Sequence, residues 1–178
     1  GIVQKLDTLE NHNKPIILSI GSNLGNRIEN INIAKKYLGF FCKINKMSKY
    51  YETESWPDNK YPKFLNIALS CTTDISFKLF FKKLKIIERK LGRKNSIKNF
   101  PRTCDIDIID FRGLNFNIYV EKNQVICPHP RSHLRNFVLF PIFEIEKNWF
   151  HPKKKQSVTL LLKKLHLKSL SSIKIFSI

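Results

Sequence analysis

The residues most suited to chemistry are two aspartates separated by a single residue, Asp105 and Asp107. They lie in the isoleucine-rich run Thr103–Phe111. The run predicts a β-strand, in which alternate side chains point to opposite faces. Both carboxylates then share one face, with their Cα atoms about 7 Å apart. Mg²⁺ suits such a pair because it prefers oxygen ligands and completes its shell with water and phosphate. The alternative is a solvent-facing strand edge whose acids pair with Arg102 or with lysines.

Basic side chains flank this strand on both sides along the chain. The stretch before it has no acidic residue and carries Arg93, Lys94, Lys98 and Arg102. The stretch after Pro128 carries His129, Arg131 and Arg135. Phosphoryl transfer requires cations near the phosphates and a loop that excludes water, and the first stretch meets both needs. Each group can equally be a solvated basic surface.

An aromatic ring and an amide come together on a second predicted strand, Phe64–Cys71. Its alternation places Phe64 and Asn66 on one face, opposite a face of large apolar residues. A flat heterocycle with donors and acceptors on its edge would fit such a pair, and Phe137 can supply a second ring. The alternative is that both rings are ordinary core residues.

The common nucleotide-binding motifs are missing from the chain. There is no phosphate loop of the G-x-x-x-x-G-K-[ST] type and no protein-kinase signature. The segment Gly21–Arg27 has glycines but lacks the Lys-Ser/Thr pair, so it predicts a strand-to-helix turn. Any nucleotide must therefore be bound by other means.

Composition limits the class of protein. The 178 residues, 42% of them apolar, suit one domain with a sizeable core, which we place at residues 15–178 after a polar tail or linker, or tag remnant, at residues 1–14. The net charge of +18 favours polyanionic partners, but the lysines are spread along the chain, so nucleic-acid binding stays a secondary hypothesis. No apolar run approaches the ~20 residues of a membrane helix. The amino terminus lacks the apolar core of a secretory signal, and we expect a cytoplasmic protein.

The cysteine and histidine patterns do not predict a metal site. No two of Cys42, Cys71, Cys104 and Cys127 form a C-x-x-C motif, and we expect reduced, mostly buried thiols. His129 and His133 have the spacing of half a zinc site, but a proline lies between them and no acidic partner is near.

The predicted elements follow an order typical of an α+β sandwich, with helices on one side of a mostly antiparallel sheet. Asp74 is expected to cap the second helix and Gly92 to end it. The predicted elements are a strand at Ile16–Ile20, a helix from Asn26 to about Leu38, strands at Ile44–Thr53 and Phe64–Cys71, the helix between Asp74 and Gly92, strands at Thr103–Phe111 and Gln124–Cys127, a mixed apolar segment at Val138–Trp149, and a helix at Ser157–Leu167.

Short segments along the chain together match one enzyme family. They are Ser19–Asn26 (SIGSNLGN), Tyr51–Thr53 (YET), Phe64–Asn66 (FLN), Glu88–Arg93 (ERKLGR), Pro101–Ile109 (PRTCDIDII), Pro128–His129 and Arg135–Glu144 (RNFVLFPIFE). Over about residues 15–165 the chain resembles the 6-hydroxymethyl-7,8-dihydropterin pyrophosphokinases of folate synthesis. The block PRTCDIDII, followed by Pro-His and Arg-x-Phe, is the most specific part of the resemblance.

The resemblance implies a fold and an activity. The fold is a ferredoxin-like α+β sandwich, with a mostly antiparallel sheet, helices packed on its faces and three mobile loops around the site. The activity is transfer of pyrophosphate from ATP to the hydroxymethyl group of the dihydropterin, with two Mg²⁺ ions. The implied partners are these small molecules, with no nucleic acid and no membrane, and we expect a monomer.

The resemblance also assigns roles to individual positions. Catalytic roles fall on Arg93, Arg102, Asp105 and Asp107, of which the two aspartates bind the metal. Pterin contacts fall on Thr53, Glu54, Trp56, Phe64, Asn66, Asn99 and Phe137. ATP contacts fall on Lys85, Glu88, Arg102, Ile108, Ile126, His129, Pro130 and Arg135.

The chain departs from the family pattern in the loop before the aspartates. Members commonly have Arg-Trp-Gly-Pro-Arg where this chain has Lys98–Arg102 (KNFPR), so either Asn99 or Phe100 replaces the tryptophan. A second loop arginine falls on Lys94 or Asn95, and lysine cannot reproduce a bidentate arginine contact. These departures leave open a non-catalytic relative that binds pterin and nucleotide without turnover.

Overall fold

The strands of the main sheet come from both ends of the chain. In this computed structural model, residues 11–55, 59–92 and 100–177 are described. The strands are β1 (Ile16–Ser22), β2 (Lys43–Met47), β3 (Tyr50–Thr53), β4 (Phe64–Thr72), β5 (Asp105–Phe111), β6 (Phe116–Val120), β7 (Asn123–Cys127), β8 (Phe150–His151), β9 (Gln156–Ser157) and β10 (Ile173–Phe176). The helices are α1 (Arg27–Leu38), α2 (Phe77–Lys90), α3 (Asn136–Ile145), α4 (Val158–Lys163) and α5 (Leu167–Ser171), with a 3₁₀ turn at Ser132–Leu134.

The main sheet is antiparallel and runs in the order β10-β3-β4-β1-β5. Strand β2 also pairs with β4, beside the half that β3 leaves free. The segment Ile44–Thr53, which the sequence predicts as one strand, is therefore divided in two. The division lies at Ser48, whose Oγ accepts from the backbone N–H of Ala68 at 2.9 Å.

Alternation along the strands gives the sheet two different faces, and helices cover both of them. On the first face Leu18, Leu65 and Ile106 join the core with α1 and α2. On the second face Ile17 and Ala68 join a smaller core with α3 and α4. The expected α+β sandwich is confirmed, whereas the expectation of helices on one side only is wrong. The second apolar stripe comes from α3, which the sequence pattern did not separate as a helix.

Local signals predicted the ends of several elements, whereas β6, β8, β9, β10 and α5 had no counterpart among the predicted elements. Asn26 caps α1 by accepting from the N–H of Glu29, and Gly92 follows α2 with φ +86°. Asp74 does not cap α2, because the helix begins at Phe77 and Ser76 is its N-cap residue. The predicted helix Ser157–Leu167 ends early at Lys163, and the chain returns as β10 to the edge of β3.

Two further features of the described residues are the state of the cysteines and the character of the helices. Cys42, Cys71, Cys104 and Cys127 are all free and buried, as expected. Over the described ranges, none of the helices has the length and apolarity needed to cross a bilayer.

Candidate active site

The second face of the sheet is apolar at one end and polar at the other. Ile17, Ala68 and Ile109 pack under α3, whereas the strand ends beyond them carry small and polar side chains. Gly21 on β1 lies opposite both Asn66 on β4 and Asp105 on β5. Because neighbouring strands are about 4.8 Å apart, this row places the amide and the carboxylate about 10 Å apart at Cα.

This polar end is a cleft of about 500 Å³. It contains ten of the residues assigned from the sequence and four others. The lining consists of Ser19, Gly21, Thr53, Glu54, Phe64, Asn66, Arg102, Asp105, Asp107, His129, Arg131, Leu134, Arg135 and Phe137. The carboxylate pair and both proposed aromatic rings therefore line the same cleft.

The two aspartates lie among cations. Arg102 donates through Nη1 to Asp105 Oδ2 at 3.0 Å. Asp107 Oδ2 is 3.6 Å from Arg135 Nη1 and 3.8 Å from His129 Nε2. The pairing with Arg102 that was the alternative to a metal site thus exists for Asp105. It does not close the site, because 27% of the Asp105 side chain and 33% of the Asp107 side chain stay exposed to the cleft.

His129 is held as a neutral ring with a defined tautomer. Its Nδ1 accepts from the backbone N–H of Arg131 at 3.2 Å, so the proton of the neutral ring is on Nε2, the atom on the side of Asp107. Burial, followed by repulsion from Arg135 and Arg131, lowers the pKa of His129 to about 4. Near neutral pH the ring is therefore a hydrogen-bond donor for an oxygen in the cleft, without a charge of its own.

The other half of the cleft presents an oriented amide beside a ring. Asn66 is 3% exposed, and its Nδ2 donates to Tyr51 O at 3.3 Å and to Thr53 Oγ1 at 3.1 Å. These bonds leave Oδ1 as the acceptor, next to Gly21. A Cβ atom on Gly21 would lie 3.0 Å from that oxygen and 3.4 Å from the Phe64 ring. The glycine therefore makes the space in which the amide and the ring stand side by side.

One buried side chain joins the loops around the cleft. Asn23, 2% exposed, exchanges two bonds with Arg102, because its N–H donates to Arg102 O and its Oδ1 accepts from Arg102 N. Its Nδ2 donates to Ser55 Oγ and to Pro62 O. The loops after β1, after β3 and before β5 are thus linked at one point.

Five residues assigned to ATP from the resemblance do not line the cleft. Glu88 is 2% exposed, and its Oε1 accepts from the N–H of Ile106 at 2.8 Å while its Oε2 pairs with Lys85 at 2.8 Å. Glu88 therefore bonds to β5 from α2, on the face of the sheet opposite the cleft, and Lys85 pairs with Glu88. Ile108 belongs to the core, Ile126 lies half-buried on β7, and Pro130 is exposed.

Six residues named in the sequence analysis cannot be compared with the structure. Arg93, Lys94, Asn95, Lys98, Asn99 and Trp56 lie outside the described residues. Phe100 is described, and its ring is 5.9 Å from that of Tyr61 on the loop after β3. Arg93, Trp56 and Asn99 therefore stay predictions.

Four residues of the lining had no role assigned from the sequence. Arg131 was noted only as one of a basic group, Ser19 and Gly21 only as parts of the segments Ser19–Asn26 and Gly21–Arg27, and Leu134 was not named. The signal for Ser19 and Gly21 was present, because β1 carries isoleucine at Ile17 and small residues at the next two positions of the same face. Leu134 is 63% exposed, and no sequence pattern marks it.

The carboxylates of the cleft fit a Mg²⁺ ion whose remaining ligands would be phosphate oxygens and water. Within residues 11–55, 59–92 and 100–177, no three His, Cys, Asp or Glu side chains converge as a metal site. Protein sites for Mg²⁺ commonly supply one or two carboxylates, with phosphate oxygens and water completing the octahedron. Asp105 and Asp107 offer two carboxylates on one face, which meets that requirement.

Known proteins are similar to this chain in sequence. A profile of the family 7,8-dihydro-6-hydroxymethylpterin-pyrophosphokinase (HPPK) matches residues 17–147. The chain is 34% identical over 137 residues to 2-amino-4-hydroxy-6-hydroxymethyldihydropteridine pyrophosphokinase of Aquifex aeolicus, covering 77% of this chain and 83% of that protein. It is 33% identical to the Bacillus subtilis protein of the same name, over 72% of this chain and 75% of that one.

The fold is also similar to that of larger proteins. A crystal structure of Plasmodium falciparum HPPK-DHPS with pterin and p-hydrobenzoate has a TM-score of 0.75 at 13% identity, covering 100% of this chain and 50% of that one. The chain thus spans about half the length of that structure, and the likeness supports the α+β fold.

Proposed function

Because the chain belongs to the 7,8-dihydro-6-hydroxymethylpterin-pyrophosphokinase family, we propose that it transfers pyrophosphate from ATP to the hydroxymethyl group of 6-hydroxymethyl-7,8-dihydropterin, releasing AMP. The observation that carries the proposal is the row Asn66–Gly21–Asp105 across adjacent strands. It supports a geometry in which one end of a planar substrate meets an amide while its other end meets the carboxylates.

The aromatic half of the cleft is the proposed pterin site. The amino end of the pterin ring carries N–H donors, and Asn66 Oδ1 is an oriented acceptor for them. Phe64 and Phe137 line the same space and offer ring faces for stacking. The hydroxymethyl group lies at the opposite end of the pterin, so this orientation directs it toward Asp105 and Asp107.

The charged half is the proposed phosphate site. Arg102, Arg131 and Arg135 bring positive charge to the cleft, and His129 offers an N–H. Mg²⁺ held by Asp105 and Asp107 would neutralise phosphate charge and polarise the transferred group. When phosphate oxygens enter, Arg102 is positioned to exchange its bond to Asp105 for bonds to the nucleotide.

In the reaction the hydroxyl oxygen of the pterin attacks the β-phosphorus of ATP. A new O–P bond forms while the bond from the β-phosphorus to the bridging oxygen of the α-phosphate breaks, and AMP leaves with that oxygen. The hydroxyl proton is lost to phosphate or solvent. Positioning and charge stabilisation account for most of the catalysis in such transfers, so a strong general base is unnecessary.

An assay of AMP release with ATP, Mg²⁺ and the dihydropterin tests the proposal. We expect Asp105→Asn to lower kcat by about 10³-fold, as for lost electrostatic stabilisation, with pterin affinity retained. Asp74→Asn, an exposed aspartate away from the cleft, is the matched control and should turn over normally. Near-normal AMP release by Asp105→Asn would contradict the metal assignment.

The same assay separates the alternative functions. A non-catalytic relative would bind the pterin and ATP without releasing AMP in the wild type. A nucleic-acid-binding module would release no AMP and would bind DNA or RNA of arbitrary sequence with an affinity that falls steeply with salt.

A further inference from the structure

The C-terminal segment Leu167–Phe176 contacts β3 and the first residue of α3, which border the proposed pterin site, and we propose that Asn136 is the positioning residue that ties it there. This inference rests on the function proposed above. The family profile matches residues 17–147, and this segment lies beyond that match.

Asn136 holds two parts of the chain with one amide. It is the first residue of α3 and is 7% exposed. Its Oδ1 accepts from the backbone N–H of Phe137 at 2.7 Å, and Phe137 is one of the two rings in the cleft. Its Nδ2 donates to Ser169 O at 2.6 Å and to Ser172 Oγ at 3.1 Å. The amide therefore joins the ring-bearing turn to α5.

The residue after Ser172 begins the strand that borders the other half of the site. Strand β10 pairs antiparallel with β3, and Ile173 lies opposite Thr53. Thr53 Oγ1 in turn accepts from Asn66 Nδ2, which sets the direction of the pterin-facing amide. A continuous path of contacts thus leads from Phe137 through Asn136 and β10 to Asn66.

The far end of β10 contacts Arg27 at the start of α1 and, through it, the segment before Phe64. The Phe176 ring packs beneath Arg27, whose Cζ is 5.5 Å from the ring centre. Arg27 Nη1 donates to Glu52 on β3 at 2.9 Å and to Lys63 O at 3.0 Å. Lys63 immediately precedes Phe64, so both ends of β10 reach chain segments that carry pterin-site residues.

These contacts are expected to act on pterin affinity more than on ATP affinity. An edge strand that loses its partner gains backbone freedom, and a ligand must then order it on binding. The elements fixed here, β3 and the start of α3, border the aromatic half of the cleft. Asp105, Asp107 and Arg102 lie on or next to β5, at the opposite edge of the sheet.

Asn136→Asp tests the inference with a nearly isosteric change. The aspartate keeps the acceptor for the N–H of Phe137 but loses the donor and places a charge against the carbonyl of Ser169. We expect the Kd for 6-hydroxymethylpterin, measured by its fluorescence with a saturating non-hydrolysable ATP analogue, to rise about tenfold, and the Kd of the analogue to change less than about twofold.

Two serine variants refine the test. Ser172→Ala removes the acceptor for Asn136 Nδ2 together with the bond from Ser172 Oγ to Ser169 O, and it should raise the pterin Kd by about threefold. Ser171→Ala is the matched control, since its Oγ donates within the same segment to Lys168 O, and it should bind both ligands normally.

Unchanged pterin affinity in both Asn136→Asp and Ser172→Ala would overturn the inference. So would equal losses of pterin and ATP affinity, which indicate a structural role only. A wild type that binds no pterin would instead contradict the proposed function.

Discussion

Small residues at the cleft are as informative as the charged ones. Gly21 stands between Asn66 and Asp105 in the row that crosses the sheet, and its missing side chain leaves the volume in which a planar ligand can lie. Its backbone is not in the left-handed region, so the requirement for glycine comes from space. A side chain there would act directly on the orientation of Asn66.

Gly21→Ala should therefore weaken pterin binding specifically. The added Cβ lies 3.0 Å from Asn66 Oδ1, so the amide must shift by a few tenths of an ångström. We expect the pterin Kd to rise about tenfold, near the value of one hydrogen bond, with little change in ATP affinity. Gly39→Ala, at the end of α1, is a control in which the new Cβ would make only an ordinary contact at 3.4 Å. Tight pterin binding by Gly21→Ala would show that the row is not the ligand site.

At the level of elements, Asn23 links three of the loops around the cleft through hydrogen bonds. Its side chain and N–H bond to the loop before β5 and to the loop after β3. Buried hydrogen bonds of this kind are costly to lose, because each unmatched donor or acceptor stays desolvated. Arg102, which pairs with Asp105, receives its backbone position from the same residue.

Asn23→Ala should uncouple these loops. We expect a loss of about 1–3 kcal/mol of stability and a fall in kcat larger than the change in the KM for ATP, measured by denaturant titration and AMP release. Asn30→Ala is the matched control, because Asn30 Nδ2 donates to Ser22 Oγ at the end of β1 and to Leu24 O in the loop that follows. If Asn30→Ala lowers kcat as much as Asn23→Ala does, the coupling is not the cause.

At the scale of the whole molecule, the sheet is stabilised from both sides, and the smaller core includes a buried polar cluster. His151 is 2% exposed and lies against Trp149 and His133. Its Nδ1 accepts from the N–H groups of Lys153 and Lys154, so the ring proton is on Nε2, next to Ser132. Burial, then repulsion from His133 and the nearby lysines, lowers the pKa of His151 to about 4.

Stability should therefore fall on mild acidification. In the unfolded chain a histidine takes up its proton below about pH 6.5, whereas folded His151 resists protonation to about pH 4. The unfolded state binds more protons in that window, so the free energy of unfolding decreases as the pH falls from about 6.5 to 4. In denaturant titrations between pH 6.5 and 5, the free energy of unfolding of His151→Gln should depend less on pH than that of the wild type. Equal slopes in the two proteins would contradict the assignment.

The local features of this protein could be predicted from neighbouring residues in the chain. Strand alternation predicted that Asp105 and Asp107 share a face of their strand and that Phe64 and Asn66 share a face of theirs, and the cleft that all four line confirms both predictions. The helix start near Asn26 and the stop at Gly92 were predicted because helix ends depend on neighbouring residues, although Asp74 was wrongly predicted as a cap. Motif spacing predicted the family.

Which of these local features come together in space became clear from the tertiary structure. The register that aligns Gly21 with Asn66 and Asp105 arises from pairing between strands distant in the chain, and single-strand patterns do not encode it. The return of β10 to the edge of β3 is likewise a long-range pairing, as is the convergence of the site loops on Asn23. Periodicity records which face of an element is apolar. Which partner covers that face depends on packing of the whole chain.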